Sequence, residues 1–338
     1  MLASLLAARD LEVVARRLHA PLAFRPWLAE SETGKQKARM RFEAKNRRAY
    51  WVNELAKLSG SFGADSTRMI GELRTEIDKE GVESLLDHLR LCGAMPEQYG
   101  HDSSEEKLYS KYTDAVISEA FTAMNLRSTV ISARADVADV QARGNDYSLV
   151  ADAKAFRLSR TAKNQKDFKV QAMDGWRGGL DYAVLICPVY QLPGRTSQIY
   201  LQAVARNVCI LSYSHLAVLV RLTTKSGAPA AENAFHKILK SVSVLHPSKN
   251  AADYWMGINR SLVDALGKAN NLWTAEKVES LEALTNAKEE SLRYLRAECN
   301  RLLGLSHQEA LDELIRSTGL NSRILQVERI KHGHLLEM

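Results

Sequence analysis

The chain has 338 residues, 46% of them hydrophobic and 25% charged, an ordinary globular composition that argues against disorder. The formal net charge of +6 suits a nucleic-acid partner, although many basic proteins never meet one. Cys92, Cys187, Cys209 and Cys299 form no CxxC pair, which argues against a zinc site or a disulfide framework and suits a reducing cytoplasm.

From the N-terminus, Leu2, Leu5 and Leu6 are followed at once by Arg9 and Asp10, too short an apolar run for a signal peptide. No stretch approaches the ~18 apolar residues of a membrane helix, so no membrane partner and a cytoplasmic location are expected. Residues 1–100 read as helical and strongly charged. Arg39, Arg41, Lys45, Arg47 and Arg48 form a basic cluster that reads equally as a solvated helix face or a DNA-backbone contact. After a loop from Ala94 to Ser104, with Ser103 or Ser104 placed as a cap, a helix is predicted over about Glu105–Met124. Leu108, Tyr109, Tyr112, Val116, Ala120 and Phe121 share one side of it at helical spacing.

The period then changes. Ser128–Ile131 is β-branched and predicts a strand, and Asp139 and Val140 begin or end another. Arg143-Gly144-Asn145-Asp146 carries turn chemistry, and Tyr147–Phe156 predicts a strand with a polar end. A helix is expected from about Thr161 to Trp176, stopped by Gly178-Gly179. Tyr182–Cys187 and Val208–Leu211 read as buried strands, and His215–Leu222 begins a helix. From about Ala230 the pattern is helical, with Glu276–Leu303 amphipathic. The expected fold is an α/β core with helical N- and C-terminal extensions. Its expected regions are 1–100, a core over 101–225, and a helical region over 226–338.

Phosphodiester hydrolysis needs an activated water and neutralised phosphate charge, which clustered carboxylates supply by holding Mg²⁺. The pattern is an Asp, a gap, then Asp/Glu-x-Lys on a strand. Four such triplets occur, beginning at Glu43, Glu105, Asp152 and Asp167. Three lie in helical contexts, where residues two apart point about 200° apart and share no site. Only Asp152 and Lys154 lie on a strand, where a period of two puts both on one face. A structural ion pair at a strand end is the bland alternative. Asp136 and Asp139 both precede Asp152 across turn chemistry, and a hairpin would bring either beside it. The Ala153 carbonyl is a further metal oxygen in this reading. Glu106 and Glu119 are added candidates, weighed against ordinary solvated positions.

Directly after, Arg157, Arg160, Lys163, Lys166 and Lys169 recur every third residue, interleaved with Ser159, Thr161, Asn164 and Gln165. Arg, Lys, Asn and Gln read base edges in the major groove, while Lys, Ser and Thr also hold phosphates. A solvated basic face is the alternative.

The block Ala151-Asp152-Ala153-Lys154 with Phe156–Val170 closely resembles the active-site strand and following helix of the HindIII family of type II restriction endonucleases, in the PD-(D/E)xK nuclease superfamily. The likeness extends to Glu106-Lys107-Leu108, Ser110-Lys111, Asp181–Leu185, Ser197-Gln198-Ile199 and His215-Leu216-Ala217, and to the Glu309-Ala310 region; it covers roughly residues 80–330. The resemblance implies a PD-(D/E)xK core, a mixed central sheet flanked by helices, with Asp139, Asp152 and Lys154 catalytic. It implies Mg²⁺, one or two ions per site, on Asp139, Asp152 and Ala153. Ala138 stands where the motif has Pro, a position that packs rather than reacts, and the Asp139–Asp152 gap is slightly short, which leaves Asp136 as a rival. Residues 157–169 become the DNA-binding segment within the 101–225 core: Arg157, Ser159, Arg160, Thr161, Lys163, Asn164, Gln165, Lys166 and Lys169.

The implied activity is cleavage of double-stranded DNA at a palindrome, A^AGCTT, leaving 5′ overhangs. A homodimer follows from the palindrome's symmetry, through either the C-terminal helices or the helix over Leu108–Phe121. An adenine methyltransferase of the same specificity would protect the host. The rival readings are a repair or recombination nuclease reading DNA structure on the same fold, and a non-catalytic DNA-binding protein.

Overall fold

The computed structural model describes residues 33–131, 137–160, 165–248 and 250–329. By its internal contacts the chain divides into Met1–Glu43 and Ala44–Met338. Helix α1 (Thr33–Leu55) opens the described residues, followed by α2 (Phe62–Glu80) and α3 (Val82–Leu91). Two arginines of the basic cluster on α1 are spent inside the protein. Arg47 pairs with Glu76, Glu80 and Asp87, and buried Arg48 bonds Glu290, Tyr109 and the Ala94 carbonyl. A guanidinium's fixed fork of donors suits such junctions between helices. That replaces the expectation of a DNA-backbone surface at these two arginines.

Helix α4 (Ser104–Ala123) begins where sequence chemistry places it, because the Ser103 hydroxyl accepts from the Glu106 amide at 3.2 Å. Its stripe Leu108, Tyr109, Tyr112, Val116, Ala120 and Phe121 is wholly buried. This face therefore belongs to the core and is not free to make a dimer contact. Phe121 stacks on Phe235 with centroids 5.6 Å apart, joining α4 to a later helix.

Five strands form one mixed sheet in the order β1 (Arg127–Val130), β2 (Val140–Arg143), β3 (Ser148–Ala153), β4 (Tyr182–Cys187) and β5 (Val208–Ser212). β1, β2 and β3 run antiparallel to one another; β3, β4 and β5 are parallel. Parallel neighbours need crossovers, and helices supply them. Short α5 (Gln165–Phe168) and α6 (Val170–Arg177) lie between β3 and β4, and α7 (Gln198–Ala205) between β4 and β5. Every residue of β5 is buried, as are all of β4 after Tyr182, which is why both read as unbroken apolar runs.

The helix expected over Thr161–Trp176 is instead broken. Lys169 takes a left-handed φ of 46° between α5 and α6, and Arg157–Arg160 precede any helix. A left-handed non-glycine residue cannot continue a right-handed helix. The basic residues therefore do not form one helical stripe, and Thr161, Lys163 and Asn164 lie outside the described residues.

Helices α8 (Tyr213–Ser226), α9 (Ala228–Ser241), α10 (Ala251–Leu266), α11 (Asn271–Leu303), α12 (His307–Ser317) and α13 (Leu320–Glu328) complete the chain. One hydrophobic cluster runs from Trp51 to Ala269 and includes the sheet. By contrast, α12 and α13 bury no residue and present Leu314 and Leu325 half exposed.

Candidate active site

The β2–β3 hairpin builds the site. Val140 lies opposite Ala151 in the antiparallel register, so one further step sets Asp139 opposite Asp152. The Ile131 amide donates to the Asp139 carbonyl at 2.8 Å and carries the β1–β2 ladder through Asp139. Ala138 beside it is buried, as the packing role of that position requires. Asp136 lies outside the described residues.

The hairpin turn is clamped from α9. Buried Glu232 accepts from the Asn145 amide at 2.6 Å, the Asn145 side chain at 2.9 Å and the Asn125 side chain at 2.8 Å. At Gly144 a Cβ would meet both a Glu232 oxygen and the Tyr147 ring at 2.6 Å, so only glycine fits beneath the clamp.

Asp152 is buried and accepts from the Lys154 ammonium at 2.5 Å. Lys154 is pinned on both sides: its amide donates to the Ile186 carbonyl at 2.8 Å, and its carbonyl accepts from the Tyr213 hydroxyl at 3.0 Å. Burial pushes the Asp152 carboxyl up, with Lys154 opposing and Asp139 adding to the rise. Burial also works against the Lys154 charge, but Asp152 outweighs it and holds the ammonium protonated.

Two further residues enter from α4. Asp114 is buried, and its carboxyl is pushed well up by burial and by repulsion from Asp139 and Asp152. Lys111 donates to Asp139 Oδ1 at 3.0 Å and to Asp114 Oδ2 at 3.3 Å. The centre thus gathers Asp114, Asp139 and Asp152 around two lysines. Sequence reasoning missed Asp114 and Lys111. The signal was there: Asp114 is a lone carboxylate in the otherwise uncharged buried run Tyr112–Ser118, and burying one is costly without a partner. The helix candidates chosen instead are engaged elsewhere. Glu106 accepts from Arg157 at 2.9 Å, and Glu119 from Arg74 at 2.7 Å.

The donor set is one of hard oxygens, with three mutually repelling carboxylates and the nearby Ala153 backbone, and it fits Mg²⁺. Among the described residues only His101, Asp102 and Glu106 bring possible ligand atoms within 4.8 Å of one another, so the three aspartates stand wider apart than that. The His101 set lies at the start of α4, with His101 and Asp102 exposed in the loop before the helix and Glu106 in its first turn held by Arg157, and it shares no residue with the buried centre.

The DNA-binding candidates divide into two groups. Arg157 donates to Glu106, to the Tyr99 carbonyl at 2.7 Å and to the Gly100 carbonyl at 3.1 Å. Ser159 bonds Glu97 through its amide and hydroxyl, and Arg160 pairs with Asp167 at 2.7 Å while stacking on Phe156. These three anchor the segment to the protein. Gln165 and Lys166 lie on α5. Exposed Lys169 sits 5.3 Å from the Trp176 ring centroid and contributes to the field at Asp152.

A family model described as HindIII restriction endonuclease matches residues 48–331. The chain is also 34% identical over 267 residues to the type II restriction enzyme HindIII of Haemophilus influenzae, across 76% of this chain and 87% of that relative.

Proposed function

Since the chain belongs to the HindIII restriction endonuclease family and is a type II site-specific deoxyribonuclease, we propose that it cuts AAGCTT between the two adenines, with Mg²⁺, as a homodimer. The observation that carries the catalytic part is the placement of Asp139 across from Asp152, with Lys154 at the same strand end. Asp139, Asp152 and the Ala153 carbonyl would hold the ion, with Asp114 as an added carboxylate. When bound, it neutralises charge on the scissile phosphate and makes a water more acidic. Lys154, fixed at its amide and carbonyl, orients that water and stabilises charge developing on the phosphate.

The segment from Arg157 to Lys169 sets specificity. Arg157, Ser159 and Arg160 hold its frame. Asn164 or Gln165 pairs with adenine N6 and N7, an arginine or lysine with guanine O6 and N7, and each bidentate pair is worth roughly 1–3 kcal/mol of discrimination. Thr161, Lys169 and whichever of Lys163 and Lys166 does not meet guanine hold phosphates. The 101–225 region acts as the catalytic core between two helical regions. The homodimer forms through the C-terminal helices, where α12 and α13 leave apolar side chains uncovered. An adenine methyltransferase of the same specificity protects the host, which places the working enzyme in the cytoplasm; no helix among the described residues is long and apolar enough to cross a membrane.

Digestion of a DNA of known sequence with Mg²⁺, with the ends mapped, tests this reading. Discrete fragments ending in 5′-AGCT overhangs are expected. Cleavage at another hexamer would move specificity outside residues 157–169, and nicks at DNA junctions without sequence preference would favour a structure-reading nuclease. Equal cutting of sites methylated at adenine N6 would exclude protection by that route.

A further inference from the structure

Lys111 satisfies all three of its N–H donors within the site. Its ammonium reaches Asp139 Oδ1 at 3.0 Å, Asp114 Oδ2 at 3.3 Å and the Ile131 carbonyl at 3.4 Å. It comes from a buried helix, and its side chain is only 20% exposed. Lys154 meanwhile hydrogen-bonds Asp152 and no other carboxylate among the described residues. The two lysines therefore divide the work: one belongs to the strand motif, the other to α4.

We propose that Lys111 is a built-in counter-ion that occupies the Asp114–Asp139 pair and competes with a divalent cation for those oxygens. Without it, two carboxylates face each other at a partly buried site, and their repulsion would spread the hairpin from the helix. With it, a cation entering that pair must displace an ammonium that is already fully hydrogen-bonded. The site is thereby kept poorly loaded until a second anion, the DNA phosphate, arrives to receive the displaced lysine and to share the cation. Lys111 is thus a positioning residue that couples metal capture to substrate. This rests on the reading of the three carboxylates as a metal centre.

The test is a Mn²⁺ titration of the full chain without DNA, followed by calorimetry or by the manganese electron spin resonance signal. Lys111→Met keeps the length and burial of the side chain and removes its charge; it should bind Mn²⁺ about ten-fold more tightly than the unmodified protein. Lys111→Arg, which keeps the charge, should not gain affinity. A residue that merely props the carboxylates predicts the opposite sign, so unchanged or weaker Mn²⁺ binding in a Lys111→Met protein with a native circular dichroism spectrum overturns the proposal. A gain at Lys111→Arg as large as at Lys111→Met overturns it too, since charge would then not be the cause. Should both the unmodified protein and Lys111→Met bind no Mn²⁺ at millimolar concentration, the metal-centre reading itself fails, and this inference with it.

Discussion

Asp139 and Asp152 stand opposite each other across the β2–β3 ladder, one step beyond the Val140–Ala151 pair. Thirteen residues of chain return the second carboxylate to the first, and the register of the hairpin sets their approach. A slip of one residue would send one of them to the other face of the sheet.

Asp152→Asn and Lys154→Ala should each lower cleavage by at least about 10³-fold while leaving DNA binding largely intact, because in the proposed mechanism both residues act on the phosphate and water and not on the bases. Cleavage rates and gel-shift affinities measured on the same preparations check this. Asp139→Asn should behave alike, and Asp136→Asn should retain activity. The reverse result would give the ligand role to Asp136.

Lys169→Ala should weaken binding alike on specific and unrelated DNA and lower the salt slope by about 1, as the loss of one phosphate contact does. Arg157→Ala should act differently. Its guanidinium holds Glu106 and the Tyr99 carbonyl, so the loss should appear as lower stability, about 1–3 kcal/mol, in urea melts.

Glu232→Ala should cost about 2–4 kcal/mol, since it strips acceptors from the Asn145 amide and from two asparagine side chains around a buried carboxylate. Cleavage should fall further than the unfolded fraction explains, because the clamp fixes the turn that pairs Asp139 with Asp152. Activity measured well below the melting temperature separates the two effects.

Burial holds the His215 imidazole down at about 4, with a hydrogen bond to Asn259 opposing. In the unfolded chain the group titrates near 6.5, so between the two values the unfolded state binds the extra proton. Stability should therefore fall as the pH drops from about 6.5 through 4, by about 3 kcal/mol from this residue alone. Urea melts at pH 7 and pH 4.5 should show a smaller difference in His215→Gln than in the unmodified protein.

Leu314→Asp combined with Leu325→Asp should convert the proposed dimer to a monomer in sedimentation at micromolar concentration with little change in thermal stability of the monomer fold. Both side chains are half exposed, on helices that bury nothing within the chain. A dimer that survives both changes would place the contact elsewhere.

The strands, the α4 stripe and the Asp152–Lys154 pair were legible in the sequence because local periodicity and turn chemistry carry them. Period two put Asp152 and Lys154 on one face, Ser103 announced its helix, and the apolar run Tyr182–Cys187 announced a covered strand. Position across elements was not legible. Only its uncharged neighbours set Asp114 apart locally from Glu106 and Glu119, and which carboxylate faces the site depends on how α4 turns against β1, β2 and β3. The same holds for Arg47 and Arg48, whose charges look solvated until α2, α3 and α11 bring their acids. The break at Lys169 was also hidden, because a left-handed lysine, here between the buried Phe168 and Val170, runs against the residue's own preference. Sequence determined which residues could do the chemistry. The long-range packing of helices on the sheet decided which carboxylates meet, because burial and charge pairing are properties of the assembled core and not of any segment within it.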